Sequence, residues 1–166
     1  MLEKIYKNRS PHKRKPILDA CCGSRAMWFD RTNPLVDFMD IRSVEYELST
    51  GQLLTVNPDI VGDFTNMPFR DESYKLVVWD PPHLLRAGKN WDITKKYGLL
   101  NNWEETLRKG FKECMRVLDD YGVLIFKWGG TDIKAKTVIK AIGKEPLFGQ
   151  RIIKNTIWFC YMKIPE

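Results

Sequence analysis

Asp80-Pro81-Pro82-His83 follows directly on an apolar run, Tyr74-Lys75-Leu76-Val77-Val78-Trp79, and its residue types can do chemistry. An ionised carboxylate accepts hydrogen bonds from two oxygens, and an imidazole stacks on rings or exchanges a proton near neutrality. The two prolines fix φ and remove donors. An acid and two prolines at the end of a buried strand make a rigid turn at the carboxyl edge of a sheet, where open α/β proteins bind ligands. This places an active site at residues 80 to 83; the competing reading of Asp-Pro-Pro is a plain loop after a strand.

Three further strand ends point to the same edge. Ile17-Leu18-Asp19-Ala20-Cys21-Cys22 reads as a short buried strand entering Gly23 and Ser24, with Gly23 suited to a tight turn or positive φ. Ser24 is placed to cap a helix over Arg25, Ala26, Met27, Trp28 and Phe29. A second strand, Val36-Asp37-Phe38-Met39, closes on Asp40, and a third, Asp59-Ile60-Val61-Gly62, closes on Asp63. Asp40 stands 17 residues after Gly23, near the ~20-residue interval at which an acid on the second strand meets ribose hydroxyls. Its other reading is a surface ion pair with Arg42. Asp63 reads equally as a helix N-cap or turn acid.

The remaining pattern supplies the elements that position these ends. A helix is predicted from Asn102 to Leu118, with apolar residues at Leu107, Phe111, Met115 and Leu118. The strand Val123-Leu124-Ile125-Phe126-Lys127-Trp128 follows Gly122 and breaks at Gly129-Gly130. Thr131 or Asp132 is expected to cap a helix reaching Ile142. Two last strands, from Glu145 to Ile153 and from Thr156 to Lys163, are separated by Asn155 and suit antiparallel pairing. Between Ser43 and Pro58 a full crossover helix is broken up by Ser49, Thr50 and Gly51. Strands alternating with helices argue for a mostly parallel sheet wrapped by helices.

With Asp19-Ala-Cys-Cys-Gly-Ser24, Asp40, Asp63 and Asp80-Pro-Pro-His83 in this order, the chain resembles the class I S-adenosylmethionine-dependent methyltransferases. Within them it is similar to the amino-methyltransferases with an Asp/Asn-Pro-Pro-aromatic motif, such as small phage-type or bacterial DNA and RNA methylase-like proteins. The resemblance covers nearly everything after residue 16. It implies a Rossmann-like fold: a mostly parallel seven-stranded sheet with an antiparallel C-terminal strand and helices on both faces. S-adenosylmethionine is the implied cofactor, leaving as S-adenosylhomocysteine, with contacts from Asp19, Cys21, Cys22, Gly23, Ser24, Asp40, Ile41, Asp63, Phe64 and Asp80. Asp63 would take the adenine amine, and Phe64 would flank the ring. Asp80, Pro81, Pro82 and His83 would be catalytic, the acid and a proline carbonyl accepting from a planar amine of adenine or cytosine in DNA or RNA. Two departures stand out. Cysteines occupy the usual glycine positions of the first loop, and His83 replaces Tyr, Phe or Trp. Other readings are a methyltransferase of a small-molecule or protein amine, and a non-catalytic binding module of the same fold.

Between His83 and Trp103, the basic Arg86, Lys89, Lys95 and Lys96 interleave with Trp91 and Tyr97. That mixture suits a nucleic-acid strand, a lid over a small acceptor, or ordinary core anchoring. Lys127 and Trp128 end their strand at the active edge, where a snorkelling lysine over a packed tryptophan is the simpler account.

At 166 residues with 43% hydrophobic content, one domain at 17-166 behind a basic tail at 1-16 is expected. The net charge of +6 sits mostly in that tail, whose Lys4, Lys7, Arg9, Lys13, Arg14 and Lys15 face one acid, Glu3. The tail suits phosphate contacts or a solvated terminus. No run approaches the ~18 apolar residues of a membrane span, so a soluble cytoplasmic protein without membrane contact is expected, either monomer or homodimer. Cys21, Cys22, Cys114 and Cys160 show no metal-ligand spacing and read as small buried hydrophobes, with no metal site. There is no room for a separate target-recognition domain, so target choice falls to the tail, the Arg86 to Tyr97 loop or a partner protein.

Overall fold

The computed structural model describes residues 15–86, 91–150 and 156–165. The basic groups from Lys4 to Arg14, Lys89, residues 151–153 of the expected strand, Asn155 and the side chain of Trp91 lie outside the described residues.

Apolar runs at the expected places form the strands β1 (Ile17–Asp19), β2 (Val36–Asp40), β5 (Ile60–Val61), β6 (Tyr74–Trp79) and β7 (Leu118–Gly129). With β8 (Phe148–Gly149) and β9 (Thr156–Met162) they make one seven-stranded sheet in the order β5-β2-β1-β6-β7-β9-β8. Pairing is parallel from β5 through β7. It turns antiparallel where β9 meets β7 along Val123↔Met162 to Gly129↔Thr156, and again between β8 and β9.

One face of this sheet carries the main core. Leu18, Val77, Trp79, Leu124, Phe126 and Tyr161 pack there under α2 (Trp103–Val117), through Leu107, Cys114 and Val117, and under α3 (Ala135–Ile142), through Val138 and Ile142. Trp79 stacks on Phe126 with centroids 4.5 Å apart. Helix α2 crosses closely, since a Cβ at Gly110 would lie 2.6 Å from Phe64 and 2.7 Å from Trp79. By the two-residue alternation of a strand, Val123, Ile125 and Lys127 of β7 point away from this core, and all three are half-buried.

Cover on the opposite face is of another kind. The expected helix at Arg25–Phe29 is a string of turns, because Arg25 adopts φ 57 and five residues offer too few hydrogen bonds to offset nucleation. Ser24 therefore caps nothing. Instead the Trp28 indole packs on Cys22, Val36 and Phe38, and the Arg25 guanidinium lies 4.0 Å over the Phe38 ring while bonding Asp59 and the carbonyls of Arg31 and Asn57.

Ser43 to Pro58 also resolves differently from a helix. It is an antiparallel hairpin, β3 (Val44–Glu47) and β4 (Leu53–Val56), that pairs outside the main sheet. The residues that break a helix here form its turn: Gly51 sits at φ 77, and the Leu48 amide donates to the Gln52 carbonyl at 2.9 Å. Helix α3 begins after Lys134 with no side-chain cap, so neither Thr131 nor Asp132 plays that part; Asp132 instead accepts from the Leu85 amide. Among the described residues no helix is long and apolar enough to cross a membrane.

Candidate active site

From β1 the chain winds outward to β2 and β5 on one side and to β6, β7, β9 and β8 on the other. The direction reverses between β1 and β6, and a crevice opens beyond the carboxyl ends of strands at such a switch. A cavity of about 660 Å³ lies there, lined by Cys21, Cys22, Gly23 and Ser24 after β1, Asp40 and Ile41 at the end of β2, Phe64 after β5, and Asp80, Pro81, Pro82 and His83 after β6. Eleven of the thirteen residues expected at the site thus share one cavity; Asp19 and Asp63 are not in its wall.

The first loop is held by acids. Asp40, 5% exposed, accepts the Gly23 amide at 2.9 Å through one carboxylate oxygen and the Arg42 amide and Nε, at 2.9 and 3.1 Å, through the other. The ion pair with Arg42 and a place in the cavity wall are therefore both present. Gly23 has φ 50, and a Cβ there would meet no atom within 4 Å, so its bare backbone faces open space. Asp19 is fully buried, accepting from the Trp28 indole N–H at 2.7 Å and the Cys21 amide at 3.2 Å, and thereby ties the loop to β1. Burial pushes its pKa up to about 7. Asp63 closes a local turn, accepting the Thr65 amide and hydroxyl at 2.8 Å each. The thiols of Cys21 and Cys22 are pushed up by burial, that of Cys22 to about 12, so both stay protonated at neutral pH. All four cysteines are free.

A second, smaller chamber of about 180 Å³ adjoins the first, and Asp80, His83, Tyr97 and Lys127 line both. Asp80 is half-buried and Lys127 Nζ donates to its Oδ2 at 2.5 Å. Desolvation raises the Asp80 pKa above the ordinary carboxylate range, against the pull of the Lys127 charge. Desolvation lowers that of His83, assisted by Lys127 and opposed by Asp80, so the imidazole is neutral at pH 7. The His83 ring lies against Gly129, where a Cβ would come within 2.7 Å of it, and 5.5 Å from Tyr97 between centroids.

Nothing local in the sequence links Lys127 to an acid 47 positions earlier; only the parallel pairing of β6 with β7 makes them neighbours. Trp128, beside it, is fully buried in the core and donates to the Ile133 carbonyl. The wall formed by Leu48, Gln52, Leu53, Leu54 and Thr55 of the hairpin region was missed with the hairpin itself. The alternation of apolar and acidic residues over Val44-Glu45-Tyr46-Glu47-Leu48 was its available signal. Of the basic and aromatic group after His83, Lys96 and Tyr97 line the first cavity from the helix α1 (Trp91–Tyr97), Lys95 bonds the Glu47 carbonyl, Arg86 is exposed, and Trp103 packs on the core.

No family model matches the sequence. No curated protein matches it either. Among solved structures, the PH0226 protein from Pyrococcus horikoshii OT3 aligns at TM-score 0.58 and 16% identity, over 98% of this chain and 86% of that one. A TehB-like SAM-dependent methyltransferase from Corynebacterium glutamicum aligns at 0.57 and 14%, over 98% and 85%. A SAM-dependent methyltransferase from Leishmania major aligns at 0.52 and 15%, over 96% and 70%. Together with the strand order, these alignments show that the chain has the Rossmann-like fold of the class I methyltransferases.

Proposed function

We propose that the chain is an S-adenosylmethionine-dependent methyltransferase acting on an exocyclic amine, of adenine or cytosine in DNA or RNA. The observation that carries this reading is the pair of joined chambers at the switch point, with Asp80 and His83 in the shared wall. The first chamber falls in the ~300–1,000 Å³ range of cofactor sites. Its donor set suits an amino acid joined to a nucleoside: the bare backbone of Gly23, the buried carboxylate of Asp40 and the apolar Met27, Leu54 and Phe64. When bound, S-adenosylmethionine would be held by Gly23, Asp40 and the apolar wall and would supply an electrophilic methyl group to the acceptor nitrogen, whose surplus proton would pass to solvent. The chain's own part is orientation and electrostatics. Asp80 Oδ1 and the carbonyl of Pro81 are acceptors for the amine hydrogens, and the proline rings hold them in place. His83 and Tyr97 offer ring faces to a planar acceptor, and the cation of Lys96 at the rim suits a phosphate backbone.

Isothermal titration is expected to show binding of S-adenosylmethionine and S-adenosylhomocysteine, and expression of the protein is expected to add an N-methylated adenine or cytosine to a mass-spectrometric nucleoside profile. A folded sample that binds neither compound would sink the reading. Asp40→Ala leaves the Gly23 amide and the amide and Nε of Arg42 without their acceptor. Its expected cost is about 10- to 100-fold in S-adenosylhomocysteine affinity, the range for a lost charge-assisted hydrogen bond. Asp40→Asn, which keeps one oxygen, is expected to lose less in the same titration.

A further inference from the structure

Lys127 is the group in the second chamber that the methyl-transfer reading leaves without a task, and its surroundings narrow the acceptor. An ammonium carries three donors. Among the described residues Asp80 is its hydrogen-bond partner, and its Nζ lies 5.8 Å from the Trp158 ring centroid. Lys127 and its partner Asp80 each line both chambers, which puts this pair beside the space the acceptor takes. Among the described residues Asp80 has Oδ2 engaged by Lys127, with Oδ1 left for an incoming N–H. The shared wall thus presents a cation donor beside an anion acceptor. At about 180 Å³ the second chamber is smaller than the ~300 Å³ at which sites for whole drug-sized ligands begin, so it takes a single ring system.

We infer that Lys127 is a specificity-determining residue, donating a hydrogen bond to an unprotonated ring nitrogen next to the amine that Asp80 holds. The acceptor this pair selects is a neutral aminoheterocycle with the edge N=C–NH2, carried by adenine at N1 and N6 and by cytosine at N3 and N4. An alkylammonium has no lone pair to offer Lys127 and no way into the chamber without opposing that cation, and a like charge in a half-buried site is costly. The inference rests on the methyl-transfer reading and refines it: aliphatic amines of proteins and metabolites are excluded by charge, and an aromatic amine without the neighbouring ring nitrogen is excluded by the unmet donor.

The test uses the full chain saturated with S-adenosylhomocysteine, titrated calorimetrically with adenosine, cytidine, 1-deazaadenosine and 3-deazacytidine. The deaza compounds replace the ring nitrogen by C–H and leave the amine in place. Expected is a loss of about 10- to 100-fold in affinity on deaza replacement for the nucleoside that binds, the range for a hydrogen bond to a charged group. In Lys127→Met that discrimination is expected to vanish, and in Lys127→Arg to return in part, with S-adenosylhomocysteine affinity and the melting temperature reporting that each variant is folded. Equal binding of parent and deaza nucleoside by the unaltered protein overturns the role of Lys127 and leaves methyl transfer standing. Failure of both parent nucleosides to bind a chain that does bind S-adenosylhomocysteine overturns the base as acceptor, and this inference with it. The comparison on the unaltered protein decides the matter even if a Lys127 variant does not fold.

Discussion

Asp80→Ala is expected to slow methyl transfer by roughly 1,000-fold, within the range for losing a positioned acid–base or charge-stabilising group. Single-turnover transfer of a labelled methyl group to the nucleic acid identified by the nucleoside survey measures it. S-adenosylhomocysteine binding is expected to survive, because the first chamber keeps Gly23 and Asp40. The substitution also strands the half-buried Lys127 ammonium, so a stability loss of about 2 kcal/mol is expected, the buried-pair penalty discounted for partial solvent access. Asp80→Asn keeps an acceptor oxygen of the same shape and is expected to fall between the two. The pH profile of the native chain follows from the same group. Ionised Asp80 is the active form and its pKa is raised by desolvation, so the rate rises with pH on a limb above the range of an exposed aspartate. His83 is pushed the other way by desolvation, so any limb it contributes is expected on the acid side of the ordinary imidazole range. Equal turnover by the native chain and Asp80→Ala would remove the acid from the mechanism.

Asp19 is expected to make folding stability fall on the alkaline side of acid conditions, opposite in sign to an ion-paired carboxylate. Folded Asp19 binds its proton up to about pH 7, whereas the unfolded chain releases it near the ordinary value of about 3.9. Between those pH values the folded state holds more protons, so stability declines with rising pH, present in full below about 4 and lost by about 7. Roughly three pKa units at ~1.4 kcal/mol each make this on the order of 4 kcal/mol. In Asp19→Asn the decline is expected to disappear, at a fixed cost of about 1 kcal/mol because an amide serves only one of the two donors, Trp28 Nε1 and the Cys21 amide. Urea unfolding of both chains at pH 4.5, 6 and 7.5 checks it; parallel pH curves for the two would show that Asp19 titrates normally in the fold.

What could be read from the sequence is what one segment settles by itself. Apolar runs closing on Asp40 and Asp80 are strands because their own residues are apolar and β-forming, and α2 announces itself through Leu107, Phe111 and Met115. Gly23 at a strand end carries its turn whatever surrounds it. The rest depends on partners distant in the chain. Ser49, Thr50 and Gly51 signal a break, but whether they break a helix or turn a hairpin is decided by Val44–Glu47 meeting Leu53–Val56. Residues 25 to 29 carry a helix-like pattern that loses to contacts of Arg25 with Asp59 and Phe38. The Lys127–Asp80 pair exists only in register, which no local pattern encodes. Asp63 shows the reverse limit: its placement at a strand end was legible, and its carboxylate is nonetheless engaged in a turn with Thr65.

The hairpin has a mechanical side. It stands apart from the main sheet, and three moorings fasten it and the end of β2 to α1: Ser49 to Asp92, the Lys95 ammonium to the Glu47 carbonyl, and Arg42 to the Lys95 carbonyl. One end of this linkage walls the larger chamber through Leu53 and Leu54, and the other carries Tyr97 to the smaller one. Hairpin and helix are therefore braced together as one wall, and Tyr97 carries that wall to both chambers.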